Sequence, residues 1–286
     1  MITFDQVSKR YGERLALDSL SWSMDEGECL VFLGPSGAGK TTLLRLITHE
    51  TQPTAGRVVV GTFQGGRLTR RQRALLRRTL GIIYEDFRLL GDRTVFENVA
   101  LAVRIVGLFR DEDVVPRVQF ALGEVGLAHQ AGAYPHELSA GEKQRAAIAR
   151  AIVNRPAVIL ADEPTGALEP RSSEEVLALL RRIHSEGAAL IVVTTRLEVA
   201  TALPGRMIEL ADGRRRDALR AVANAPSDAL AAELAPAAYA ADPRAESPAD
   251  PPGTGAPRTG DASDEALPLT SLLEPPAGDP APPPGA

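Results

Sequence analysis

The sequence predicts an α/β domain built on a largely parallel sheet, with a helix-rich segment inserted in it and a carboxy-terminal stretch that does not fold on its own. Three observations carry that prediction. Apolar runs of strand length alternate with amphipathic runs of helical period through about the first three quarters of the chain. Between Tyr84 and Val158 the pattern stays helical without strong strand signals, over a length that a simple crossover does not need. From about Ala218 the composition shifts to Ala, Pro, Asp, Glu and Gly, with few aromatics, and such a segment cannot offset the entropy of ordering it.

In chain order the strand candidates are Cys29-Leu33, Arg57-Val60, Gly81-Tyr84, Val158-Leu160, Ala189-Val193 and Arg206-Leu210, the last closed by a turn at Asp212-Gly213. A helical run, Thr42-Ile47, follows the first strand. Arg67 to Arg78 is an arginine-dense helical segment just before Gly81. It reads as a solvated helix face with Leu75 and Leu76 turned inward, ahead of a lipid- or nucleotide-binding patch. The predicted domains are residues 1–217, with a helical part at about 86–156, and an Ala/Pro/acidic tail at 218–286. Leu267-Pro268-Leu269-Thr270-Ser271-Leu272-Leu273 is the one apolar cluster of that tail, and it reads as chance clustering rather than a docking motif.

With 286 residues, 44% of them hydrophobic, the chain has enough apolar surface for one well-formed core plus an appendage. The charge divides unevenly. Residues 218–286 hold 10 acidic and 3 basic side chains, net −7, and since the whole chain carries −5 the remainder carries +2. A nearly neutral body argues against a nucleic-acid partner and tolerates work beside an anionic membrane. No apolar run reaches the roughly 18 to 20 residues that a membrane helix requires, and Met1-Ile2-Thr3-Phe4-Asp5 lacks the succession of a secretory signal. A soluble protein that stays in the cytoplasm is expected. The single cysteine, Cys29, sits in an apolar strand and reads as a small buried thiol.

Two segments carry chemistry. Gly34-Pro35-Ser36-Gly37-Ala38-Gly39-Lys40-Thr41 fits G-x-x-x-x-G-K-[ST] between a strand and a helix that starts near Thr42. Glycines there let backbone N–H groups curl around phosphate oxygens, Lys40 reaches the β- and γ-phosphates, and the Thr41 hydroxyl ligates Mg²⁺. The chain has only three lysines beside 29 arginines, and one of them stands where a compact point charge suits the pocket better than a planar fork. Further on, Val158-Ile159-Leu160-Ala161-Asp162-Glu163 is an apolar strand ending in two carboxylates. Asp162 is placed to hold magnesium through water and Glu163 to polarise an attacking water.

A third segment, Leu138-Ser139-Ala140-Gly141-Glu142, precedes Lys143-Gln144-Arg145 and a helical run to Val153; Ser139 alone also fits a helix cap. With the phosphate loop upstream and Asp162-Glu163-Pro164-Thr165-Gly166-Ala167-Leu168 downstream, it resembles the signature sequence of ABC ATP-binding subunits. The resemblance covers residues 1 to about 215. It implies a P-loop NTPase core with an inserted helical subdomain and an antiparallel β edge. It further implies ATP and Mg²⁺ as ligands, and a homodimer in which Ser139 and Gly141 of one subunit bind the γ-phosphate held by the other. By the same resemblance Tyr11 stacks on adenine, and Gly34, Pro35, Ser36, Gly37, Ala38, Gly39, Lys40, Thr41 and Thr42 hold the phosphates.

Within the family, Leu89-Leu90-Gly91-Asp92-Arg93-Thr94-Val95-Phe96-Glu97-Asn98-Val99-Ala100 and Ile152-Val153-Asn154-Arg155-Pro156-Ala157 look like the cell-division, FtsE-like group. That group implies an FtsX-like membrane partner and a peripheral place on the cytoplasmic face of the bacterial inner membrane. ATPases of lipoprotein-release or macrolide-export systems and a non-hydrolysing ATP-gated clamp are the alternatives. Four positions depart from the family pattern. Glu85 stands at the glutamine-loop position as a candidate metal contact, Ala140 replaces a glycine, Glu169 replaces an aspartate, and Thr195 stands where the switch histidine belongs. The groups that grip the nucleotide are present and those that switch are altered, so slow hydrolysis is expected.

Overall fold

The computed structural model describes residues 1–64, 68–107 and 110–216. Arg67, the predicted tail and its Leu267-Leu273 cluster lie outside these. The chain divides into two units, Met1–Leu219 and Arg220–Ala286, and every described residue belongs to the first.

Two sheets form. Strands β1 (Ile2–Tyr11), β2 (Arg14–Met24), β4 (Ala55–Val60) and β5 (Phe63–Gln64) make an antiparallel sheet in the order β2-β1-β4-β5. The second sheet runs β10-β9-β3-β8-β7-β6, from β3 (Cys29–Leu33), β6 (Leu80–Ile83), β7 (Val158–Asp162), β8 (Ala189–Thr194), β9 (Arg206–Ala211) and β10 (Arg214–Arg216). It is parallel except for β10, which pairs antiparallel with β9. The α/β class and its mixed sheets agree with the sequence reading. The run Arg57-Val60 belongs to the antiparallel sheet, however, and β1 and β2 escaped the sequence reading altogether. Both carry polar residues at most of their exposed positions, so neither presents the continuous apolar run of a strand buried on both faces.

β3 is buried along its whole length because both faces are covered. Its side chains alternate: Cys29, Val31 and Leu33 enter one apolar cluster, and Leu30 and Phe32 enter the other. The second cluster joins the sheets through aromatic contacts. Phe4 stacks on Trp22 at 4.6 Å between ring centroids, and Trp22 meets Phe32 edge-on at 5.1 Å.

The helices are α1 (Lys40–Ile47), α2 (Arg70–Arg78), α3 (Val95–Val106), α4 (Asp111–Glu124), α5 (Ala140–Ile152), α6 (Pro170–Ser185) and α7 (Leu197–Ala202). Three of them start on the same local device. Thr69 with Gln72, Thr94 with Glu97 and Ser139 with Glu142 each exchange hydrogen bonds between side chain and backbone across the first turn, opening α2, α3 and α5. α3 ends on Gly107, whose φ of 65° suits a left-handed cap. In α2 only Leu76 turns inward; Leu75, expected beside it, is 42% exposed. Helices α3, α4 and α5 lie between β6 and β7 in the chain and pack on one another through Val99, Val103, Val118, Leu122 and Ile148.

Cys29 is buried, and burial pushes its thiol up to about 11. The thiolate is the reactive form. The native protein is therefore expected to leave an aromatic disulfide reagent unreacted at pH 8 and to release one equivalent of thiol on unfolding in guanidinium. Stoichiometric labelling of the folded chain would show that Cys29 is not enclosed.

Candidate functional site

The site gathers where β3, β7 and β8 end, the edge at which open α/β sheets present their loops. The turn from β3 into α1 runs under close backbone contact. A Cβ at Gly34 would lie 2.1 Å from the carbonyl oxygen of Leu210, so only glycine fits beside β9. Gly39 has φ 102°, and a Cβ there would lie 2.5 Å from the Ala16 oxygen on β2. The Gly34 N–H donates to Thr194 O at 3.2 Å, tying the turn to β8. Gly39 caps α1 without a side-chain hydrogen bond, which leaves the first-turn N–H groups free for an external acceptor.

Lys40 is the cation of this turn, with a side chain only 7% exposed. Its Nζ donates to Gly34 O at 2.7 Å and Pro35 O at 3.1 Å, and lies 3.7 Å from Glu163 Oε1. The Thr41 hydroxyl is 3.4 Å from Asp162 Oδ2. Pro35, Ser36, Gly37 and Ala38 complete the curl, and Thr42 follows in the first turn of α1.

Asp162 ends β7 and Glu163 follows it with φ 44°. Burial raises the Asp162 carboxyl above its ordinary range, and the charges of Glu163 and Glu85 push the same way, against the Thr41 hydroxyl and Lys40. Glu85 comes from the turn after β6, and its Oε1 would lie 3.4 Å from a Cβ at Gly166. Three carboxylates thus face one another across a short space with a single ammonium among them. Hard oxygen donors under mutual repulsion fit a hydrated divalent cation such as Mg²⁺. Among the described residues no group of three or more His, Cys, Asp or Glu could hold a metal ion by itself. Phosphate oxygens and water would have to complete such a shell.

Thr194 was not legible as a site residue. Its hydroxyl is buried, accepts the Arg196 backbone N–H at 3.1 Å and donates to Glu163 Oε2 at 2.9 Å. Thr195, which the family pattern makes prominent, is exposed and makes no hydrogen bond or ion pair among the described residues. Neighbouring threonines look alike in sequence; Thr194 is the last residue of β8, which is buried along its whole length, and Thr195 lies just past the strand end, where the chain is exposed. Arg14 was missed for a similar reason. One of its guanidinium nitrogens would lie 3.4 Å from a Cβ at Gly37, bringing a second cation to the phosphate loop.

Tyr11 stands across the β1–β2 hairpin from Arg14, 42% exposed, with Lys9 Nζ 4.9 Å from its ring centroid. Ser139 and Gly141 are not brought to the loop. No hydrogen bond links either to residues 34–42 among the described residues. Ser139 serves as the cap of α5, its hydroxyl 2.7 Å from Glu142 Oε2. A Cβ at Gly141 would lie 2.8 Å from the Ser172 hydroxyl oxygen and 3.0 Å from its Cβ, so this turn of α5 packs closely on the Ser172 side chain of α6.

Known proteins share this arrangement. The family described as ABC transporter matches residues 17–166. The cell division ATP-binding protein FtsE of Mycobacterium tuberculosis is 44% identical over 227 residues, 78% of this chain and 97% of that protein. FtsE of Escherichia coli K12 is 44% identical over 214 residues, 74% of this chain and 96% of its own length. Among solved structures, the dimeric structure of MJ0796, described as a bacterial ABC transporter cassette, superimposes with a TM-score of 0.70 at 35% identity, covering 76% of this chain and 97% of that one. A post-hydrolysis state of the same cassette bound to ADP and Pi gives 0.69 at 33% identity, with the same two coverages. This chain belongs to the ABC transporter family, and it is an ABC-type ATPase.

Proposed function

We propose that the chain is the ATP-hydrolysing subunit of a bacterial cell-division complex. It would work as a homodimer on an FtsX-like membrane protein, at the cytoplasmic face of the inner membrane. The observation that carries this reading is the enclosed Lys40 ammonium, 3.7 Å from Glu163 at the mouth of an uncapped helix. The cell-division role rests on the FtsE relatives, and pairing rests on the dimeric cassette. Ser139 and Gly141 make no hydrogen bond to their own phosphate loop among the described residues, which suits a site completed by the second subunit. No helix among the described residues is long and apolar enough to cross a membrane, which suits attachment through a partner.

In this reading the N–H groups of residues 37–42, Lys40 and Arg14 grip the phosphates, Tyr11 supports the base, and Ser139 and Gly141 reach across the dimer. Thr41 and Asp162 hold Mg²⁺, with Glu85 beside them. The metal, when bound, neutralises phosphate charge and orients the terminal phosphoryl group. Glu163 orients the attacking water and accepts its proton. Thr194 acts through Glu163. Because its hydroxyl oxygen receives the Arg196 N–H, its own proton is directed at the Glu163 carboxylate, which fixes the angle at which that carboxylate can meet water.

The phosphate-grip assignment is tested by Lys40→Ala. Equilibrium titration with a fluorescent ATP analogue is expected to show no saturable binding while the circular dichroism stays native. An unchanged affinity would refute the site.

Thr194→Val is expected to lower kcat by about 10- to 100-fold, the range for one hydrogen bond to a charged group. KM for ATP should stay near wild type, and Thr194→Ser should recover most of the rate. If Thr195→His accelerates phosphate release and Thr194→Val does not slow it, the exposed threonine controls turnover instead.

Asp162 provides a test without turnover. Its raised folded-state value means that the native state resists losing that proton, so nucleotide-free stability falls as pH rises from the unfolded carboxylate range through the folded value. Asp162→Asn removes the penalty. Its melting temperature without nucleotide should exceed wild type at neutral pH, by roughly 2 to 4 °C for each kcal/mol relieved. The same variant should lose the stabilisation that Mg²⁺ adds in the presence of ADP. A variant less stable than wild type without ligand would contradict the cost of burying that carboxylate beside Glu163 and Glu85.

A further inference from the structure

We propose that helix α2 is a contact surface for the phosphate headgroups of an anionic membrane, so that this chain touches the bilayer itself as well as through a partner. Five of the nine residues of α2 are arginine and none is acidic. Elsewhere in the described residues arginine is mostly matched: Arg57 with Asp5, Arg145 with Glu175, Arg182 with Glu124, Arg206 with Glu28 and Arg214 with Asp18 are ion pairs. None of Arg70, Arg71, Arg73, Arg77 and Arg78 has such a partner among the described residues. Arg77 alone is engaged, donating to the Thr48 carbonyl at 3.2 Å.

Like charges this close on one helix repel, so the cluster costs stability that a matched surface would not. The field is felt by a neighbour. Burial lowers the proton affinity of His49, and Arg73 and Arg77 lower it further.

The shape of the surface indicates its ligand. At about 100° per residue, Arg70, Arg71 and Arg78 fall on the side away from the buried Leu76, while Arg73 and Arg77 lie together to one side of it. Leu75, 42% exposed, lies at the edge of the cationic face. A convex face of guanidinium groups with an apolar residue beside them matches a plane of phosphates over acyl chains better than one enclosed anion. The inference does not depend on the ATPase reading, because no residue of α2 belongs to the nucleotide site.

The full chain is to be floated with vesicles of phosphatidylglycerol and phosphatidylcholine, and with vesicles of phosphatidylcholine alone. Binding is expected only with phosphatidylglycerol and should weaken steeply as salt shortens the Debye length. The triple variant Arg70→Gln, Arg71→Gln, Arg78→Gln should lose about a hundredfold in partitioning, each arginine contributing about a factor of five. Leu75→Gln should lose less. Both variants must melt no lower than wild type and keep its ATP binding, which separates a lost surface from a lost fold or a failed nucleotide site. Millimolar inorganic phosphate should not displace the protein. The proposal is overturned if neutral vesicles bind equally, if the triple variant floats like wild type, if phosphate displaces it, or if an RNA oligonucleotide binds α2 more tightly than the vesicles at the same salt.

Discussion

The structure around the site depends on burying one ammonium. Lys40 cannot leave water unless acceptors surround it, and they come from the backbone that precedes it, Gly34 O and Pro35 O, with Glu163 opposite. To curl tightly enough, the turn must pass under β9 and beside β2, at distances where a Cβ at Gly34 or Gly39 would collide with carbonyl oxygens. The antiparallel sheet is thus part of the site: its strand β2 is a wall against which the phosphate loop is bent. Trp22, stacked on Phe4 within the antiparallel sheet, holds that wall to the parallel sheet through Phe32.

A second element joins the carboxylates. Helix α5 begins at the Ser139 cap, and its Gln144 Nε2 donates to Pro164 O at 2.7 Å, just beyond Glu163. Further along, Arg150 donates to the carbonyl oxygens of Phe87, at 2.7 Å, and of Arg88, in the turn that follows Glu85. That turn contains two residues with positive φ, Phe87 and Arg88, a strained backbone that an external donor helps to hold. One helix therefore starts at Ser139 and touches both the loop that carries Glu163 and the loop that follows Glu85.

Charge is distributed with a purpose that composition conceals. The acidic groups that repel one another lie at the phosphate-loop end of the parallel sheet, around Asp162. The unmatched basic groups lie on α2, on a helix whose single buried residue anchors it lightly. An average near neutrality for the body hides both.

Sequence alone determined the phosphate loop, the acidic pair and the signature segment, because each is a contiguous run whose chemistry is local: backbone N–H groups around an anion, carboxylates at a strand end, a capping serine before a helix. It also determined the parallel strands, whose burial on both faces leaves unbroken apolar runs such as Cys29-Leu33. Tertiary structure decided the rest. The hairpin of β1 and β2 was hidden because half its residues face water. Leu75 and Leu76, adjacent and identical in type, part company because one helix face meets the core and the other does not. Thr194 and Thr195 divide likewise, since β8 ends between them, and only the register of β8 against β7 brings Thr194 beside Glu163. Arg14 reaches Gly37 across a fold-level contact that no spacing encodes. What is local in the chain was readable from it; what depends on two distant backbones meeting was not.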